Sequence, residues 1–174
     1  GESAGVEIHW RTPDLCTDAA RMQHVCRAVV DDQFGQGKDL EGFCCLVPTA
    51  PLRLAEDIRG AWSLFTSDAV DFVMGASEFH YTPWQAMEEL GGYARLLWPE
   101  YRDTKSQAMP PTFADNGSMY WAKIKAFVEE DTFFGRRLKP YHMPKHRSVD
   151  LDTVDDLLVL KRLMSVADEE VAFV

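Results

Sequence analysis

No run of about 18 apolar residues occurs in the 174-residue chain, so no segment has the length and apolarity of a membrane-crossing helix. No basic-then-apolar stretch opens it either. Positive charge is scarce: 18 Lys and Arg stand against 28 Asp and Glu, a formal net charge of −10. That balance disfavours non-specific nucleic-acid binding, which needs clustered Lys and Arg. It leaves room for an anionic substrate met by a few local Arg and Lys, or by a divalent metal bridging acids to phosphate. Cysteine is limited to Cys16, Cys26, Cys44 and Cys45, none in a C-x-x-C pair. A structural zinc site is therefore disfavoured, and reduced, packed cysteines of a cytoplasmic protein are expected. The opening Gly1-Glu-Ser-Ala-Gly-Val6 has no Met, which predicts a chain cut from something longer.

What is present is ordinary for a globular protein, with 46% apolar and 26% charged residues. The length predicts one domain with a real core. Val6–Trp10 alternates and reads as a strand or edge segment. Met22, Val25, Cys26 and Val29 fall at helical spacing, with Asp18 as the expected N-cap and Gly35 and Gly37 as the stop. Phe43–Val47 is continuously apolar, the pattern of a strand buried on both faces of a parallel sheet. Ile58, Ala61, Trp62 and Phe65 mark a second helix, and Val70–Ala76 another inner strand. That order predicts a right-handed parallel crossover and an α/β layered fold.

Gly91-Gly92, between Trp84–Leu90 and Tyr93–Trp98, signals a hairpin. Its surroundings carry Phe79, Tyr81, Trp84, Tyr93, Trp98 and Tyr101, which either form an interface or pack on the parent domain. Asn116–Trp121 reads as a turn entering a strand, Ile124, Phe127 and Val128 as a helix, and Leu138–Met143 as a last strand. Thr153 with Asp156 predicts a capping box for a helix carrying Leu157, Leu160, Leu163 and Met164.

Three segments can carry chemistry. Asp150 and Asp152, read as alternate residues at a strand's end, point to one side. There they can grip one magnesium ion, which takes one or two carboxylates plus substrate phosphates. The plainer alternative is that Asp152, Asp155 and Asp156 serve the helix that follows. Pro48-Thr-Ala-Pro-Leu-Arg53 sits directly after an inner strand, where Arg53 can hold a phosphate or carboxylate; otherwise it is a connector. Lys105 and Gln107 can reach one polar ligand together, or simply lie in a solvated loop.

Taken in order, Arg11-Thr-Pro-Asp-Leu, Pro48-Thr-Ala-Pro-Leu-Arg, the Lys105-Ser-Gln107 loop, Asn116-Gly-Ser-Met-Tyr and Asp150-Leu-Asp-Thr form one set. With this set the chain resembles the CMP-sialic acid synthetases (acylneuraminate cytidylyltransferases), to about Met164. The Ser-Gln loop and Tyr120-Trp121 look most like the branch that activates pseudaminic acid and related nonulosonic acids. The resemblance implies a cytoplasmic enzyme that joins CTP to a nine-carbon acid sugar, using magnesium and releasing pyrophosphate. It implies metal-binding and catalytic roles for Asp150 and Asp152, and substrate contacts from Arg11, Thr49, Arg53, Lys105, Gln107 and Asn116. It also implies a homodimer built through the region 77–115.

The chain departs from that pattern in three places. Val47 stands where the sialic-acid enzymes have Gln, a difference shared with the pseudaminic branch. Lys105 supplies a point charge where an Arg would fork onto a carboxylate. The family's N-terminal strand, its Gly- and Arg/Lys-rich phosphate loop and the next helix and strand have no counterpart. The expected fold is thus a single Rossmann-like nucleotidyltransferase domain over 1–174 that lacks its N-terminal βαβ unit and carries an inserted hairpin. Such a chain is expected to turn CTP over very slowly, if at all, and to hide the bared sheet edge by oligomerising or by rearranging its first residues. Two other readings remain: a non-catalytic sugar-binding or dimerising module, and a nucleotidyltransferase for another sugar.

Overall fold

The computed structural model describes residues 5–67 and 69–167. The first four residues, and with them most of the opening that lacks Met, lie outside the described residues. Among the described residues, four α-helices and six strands follow one another. They are α1 (Met22–Gly35), β1 (Gly42–Leu46), α2 (Ala55–Phe65), β2 (Phe72–Glu78), β3 (Met87–Leu90), β4 (Tyr93–Leu96), β5 (Phe113–Lys123), α3 (Ile124–Glu130), β6 (Leu138–His142) and α4 (Val154–Ala167). Strands β1-β5-β2-β6 make one mixed sheet in that order, which gives an α/β fold.

The parallel, doubly buried β1 expected from the run Phe43–Val47 is corrected. β1 pairs antiparallel with β5, Gly42 opposite Lys123 and Leu46 opposite Met119, and its residues are half-buried or exposed. It is also not the neighbour of β2, because β5 lies between them. An apolar run reports how dry its surroundings are, not which strand lies beside it. The strand buried almost throughout is β2, with Phe72, Val73, Met74 and Ala76 each at most 4% exposed. β6 follows β2 in the same direction. The Phe72 N–H donates to the Arg137 carbonyl at 3.2 Å, and further along the Met143 N–H donates to the Ala76 carbonyl at 2.8 Å.

Two smaller expectations change as well. Val6–Trp10 forms no strand, and Val6, Ile8 and Trp10 are exposed; alternation without a strand to pair with is not enough. Asp18 does not cap α1, whose cap position is Arg21 with no side-chain bond. The helix does end at Gly35, the Gln36 N–H closing on the Asp32 carbonyl at 3.0 Å. All four cysteines are free thiols. A hydrogen bond with Cys45, together with burial, keeps the Cys26 thiol protonated.

The chain divides into two compact units. The first comprises Gly1–Leu46, Arg59–Met74 and Met119–Lys139. Its core is aromatic: Phe127 meets Phe43 at 5.0 Å and Phe133 at 4.9 Å, and Trp121 stacks near Trp62 and Phe65 at 5.2 and 5.4 Å. Phe72 and Phe127 are fully buried, each contributing about 1.5–3 kcal/mol of transfer free energy.

The second unit comprises Val47–Ile58, Gly75–Ser118 and Pro140–Val174. It holds the hairpin β3–β4, turned by Gly91 and Gly92 at φ 60° and 81°, which is the backbone that a two-residue turn of this kind demands. Of the aromatics of this region, some pack within the unit and others face solvent. Trp84 packs between Trp98 and Tyr101 at 5.6 and 5.1 Å, while Tyr81 and Tyr93 are more than 80% exposed.

Candidate functional site

The segment after β6 carries Asp150 and Asp152. Pro144 has no N–H to donate and stops the strand, and the chain winds into a short 3-10 turn, Lys145–Arg147. Asp150 and Asp152 therefore do not sit at a strand's end as expected. Both lie in irregular chain between that turn and α4, so strand alternation cannot align their carboxylates.

Irregular chain has no hydrogen-bond ladder, and its shape here is set by three anchors. Arg147 forks onto the carboxylate of Asp57, with Nη2–Oδ1 at 3.1 Å and Nη1 against Oδ2. Asn116 Nδ2 donates to Ser148 Oγ at 3.0 Å. The Leu151 N–H donates to the Thr49 carbonyl at 2.9 Å. Between these anchors the Asp150 carboxylate lies close against Gly117, where a Cβ would stand 2.1 Å from Asp150 Oδ2. Gly117 also holds φ 64°, a left-handed conformation that glycine adopts freely. Asp150 Oδ1 is buried and has no hydrogen-bond partner, an arrangement costly for a carboxylate unless something else meets it.

Asp152 is exposed. Its N–H, like that of Thr153, donates to Asp156 Oδ2 (3.2 and 2.7 Å), and Thr153 Oγ1 accepts from the Asp156 N–H at 3.2 Å. The capping box is thus Thr153 with Asp156. The carboxylate of Asp152 takes no part in it and makes no hydrogen bond among the described residues.

The Pro48–Arg53 loop is tied down from both ends. Arg53 Nη1 donates to the Val47 carbonyl at 3.3 Å and to the Ser118 carbonyl, and Thr49 offers its carbonyl to Leu151. Asn116 is 6% exposed, and its observed bonds are all internal. Besides Ser148, its Oδ1 accepts from Ser118 Oγ at 2.7 Å, and Gly75 leaves room for both groups. Lys105 and Gln107 are exposed around a 3-10 turn, Ser106–Ala108. Their loop is braced by Trp84 Nε1 on the Pro110 carbonyl at 3.0 Å and by buried Met109. Ser106 joins Thr82 and Gln85 in lining a groove of about 570 Å³. Arg11, in the first unit, is exposed and reaches the Leu15 carbonyl at 3.5 Å.

Sequence reasoning passed over Asp57, Arg147 and Gly117. Asp57 is 1% exposed. Burial raises its pKa, but the Arg147 guanidinium, the Leu54 N–H and the Tyr141 hydroxyl outweigh this and hold it below the usual carboxylate range. Its signal was an acid in the first turn of a helix, which reads as a dipole partner. Gly117 was visible only as half of an Asn-Gly turn.

The donors suit magnesium in its usual protein mode. Among the described residues no group of three or more His, Cys, Asp or Glu could hold a metal, so no all-protein cage is offered. One partnerless carboxylate oxygen, with a second exposed carboxylate two residues on, matches a cation held jointly with substrate phosphates.

No family model matches the chain. It is 27% identical over 160 residues to a pseudaminic acid cytidylyltransferase of Campylobacter jejuni, covering 91% of this chain and 69% of that protein. It is 28% identical over 156 residues to an N-acylneuraminate cytidylyltransferase of Streptococcus agalactiae, covering 88% of this chain but 37% of that protein. A CMP-N,N'-diacetyllegionaminic acid synthase of Legionella pneumophila is 28% identical over 173 residues, 95% of this chain and 72% of that protein. Over about nine-tenths of its length the chain is thus similar, at 27–28% identity, to two cytidylyltransferases and a CMP-sugar synthase whose names give three different acid sugars.

Proposed function

We propose that the chain serves a cytidylyltransferase that joins CTP to a nonulosonic acid of the sialic or pseudaminic type, forming a CMP-sugar and pyrophosphate. The observation that carries this reading is Asp150 Oδ1, buried and partnerless in a segment braced on three sides, within a chain similar over nine-tenths of its length to such enzymes. Nucleotidyl transfer is chiefly positioning and charge neutralisation. In this reading Asp150 and Asp152 hold Mg²⁺, which supplies positive charge against the phosphates. Asp150 also accepts a hydrogen bond from the sugar hydroxyl that attacks the α-phosphate. Lys105 and Gln107 face the sugar, Arg53 and Thr49 shape the loop beneath the nucleotide, Asn116 holds the strand beside them, and Arg11 meets the cytidine. The fold in this reading is a Rossmann-like nucleotidyltransferase sheet, with the hairpin as a dimer contact. Val47 and the Ser-Gln loop favour the pseudaminic branch.

The test is conversion of labelled CTP to CMP-sugar, in an assay sensitive to slow turnover, with pseudaminic, N-acetylneuraminic and legionaminic acids each offered with magnesium. Slow, magnesium-dependent conversion that Asp150→Asn abolishes is the expected outcome. Sugar binding without conversion, indifferent to magnesium and to Asp150→Asn, would overturn it in favour of a non-catalytic sugar-binding module.

A further inference from the structure

Residues 147–151 hang on three anchors, and these are unequal. Asn116–Ser148 and Leu151–Thr49 are single neutral bonds at 3.0 and 2.9 Å. Asp57–Arg147 is a buried, two-pronged ion pair with side chains 2% and 21% exposed, and charge-assisted forks are roughly twice as strong as neutral bonds. Asp57 also accepts the Leu54 N–H at 2.8 Å and the Tyr141 hydroxyl at 3.4 Å. Leu54 directly follows the Pro48–Arg53 loop, whose Thr49 carbonyl holds Leu151. One buried carboxylate therefore makes the strongest of the three anchors and also ties down the residue that follows the loop carrying another, while its own oxygens are taken up by the protein.

We propose that Asp57 is a positioning residue: acting through Arg147 and Leu54, it holds the Asp150 carboxylate against Gly117, ready for a divalent cation arriving with an anionic substrate. This rests on the reading of Asp150 given above. A buried ion pair is a poor device for stability alone, since apolar residues of similar volume often hold a fold as well. What the planar guanidinium fork adds is a fixed direction, and direction is what a carboxylate in irregular chain lacks.

Manganese(II) is the probe, and the readout is paramagnetic broadening of the Gly117 and Leu151 amide signals in the ¹⁵N-labelled full chain, with melting followed in parallel. The wild-type protein is expected to lose these two signals first, and Asp150→Asn to keep them. Asp57→Asn, measured below its melting temperature, is expected to need about tenfold more manganese or worse, the usual effect of losing an outer-shell partner. Should that single change prevent folding, the double variant Asp57→Asn/Arg147→Gln replaces the ion pair with two amides and removes the unpaired buried charge. It is expected to fold and still to respond weakly. A folded variant of either kind that broadens at the wild-type manganese concentration would overturn the positioning role and leave the reading of Asp150 standing. Wild-type protein whose Gly117 and Leu151 signals ignore manganese would sink both.

Discussion

Gly117 and Gly91 share nearly the same backbone, φ 64° and 60°, yet their surroundings differ. A Cβ at Gly91 meets nothing within 4 Å, whereas at Gly117 it strikes the Asp150 carboxylate. Alanine at either position carries the left-handed strain of about 1–2 kcal/mol. Only Gly117→Ala also has to move Asp150. We expect both variants to melt lower, and only Gly117→Ala to lose CTP conversion to the degree that Asp150→Asn does. Equal activity in the two would mean that the packing of Gly117 on Asp150 has no bearing on function. The same comparison shows what a sequence exposes at this scale. Asp150 is legible because it and Asp152 are two acids close together in the chain, although acids ahead of a helix also serve its cap and dipole. Gly117 looks like any turn glycine, because the carboxylate that requires it lies more than thirty residues further along the chain.

At the scale of elements, signals confined to a few neighbouring residues were legible. Thr153 with Asp156 predicted a capping box, and both reciprocal bonds are present. Gly91-Gly92 predicted the hairpin, and Gly35 the end of α1. Removing the Thr153 hydroxyl by Thr153→Ala leaves the Asp156 N–H without its acceptor. The expected loss is about 1 kcal/mol, read as a fall of roughly 2–4 °C in melting temperature for a chain of this size. No change in melting would show that solvent satisfies the end of α4 equally well. Features that depend on distant partners were not legible. β1 reads as a central parallel strand but is bound antiparallel by β5. Asn116-Gly117 reads as a turn but lies inside β5, where the positive φ of Gly117 and the Asp115 carboxylate on its N–H at 3.0 Å absorb the irregularity. The acidic pair reads as the end of a strand, but β6 ends at His142, before Pro144.

At the scale of the whole molecule, 28 acidic residues and a net charge of −10 make acid the natural stress, and the buried Asp57 distinguishes one contribution from the rest. Its folded-state pKa lies below the ordinary value, which is about 3.9 in an unfolded chain. A depressed carboxylate stabilises the fold fully above the unfolded value, and that contribution fades as pH falls through the folded one. Most exposed acids titrate alike in wild-type protein and in Asp57→Asn, so they cancel when the two are compared. Near pH 7 the variant leaves Arg147 facing a neutral amide, with an expected loss on the order of 3 kcal/mol. Below about pH 4 the unfolded chain takes up a proton at this carboxyl that the folded protein still lacks, and only below its lowered folded-state pKa does the wild-type carboxyl come to resemble Asn. The difference in melting temperature between the two proteins should therefore be widest near neutrality and narrow steadily as pH falls below the unfolded value. A gap that stays constant into acid would mean that Asp57 contributes its shape and hydrogen bonds but not its charge, and the anchor for Asp150 would then need no ion pair.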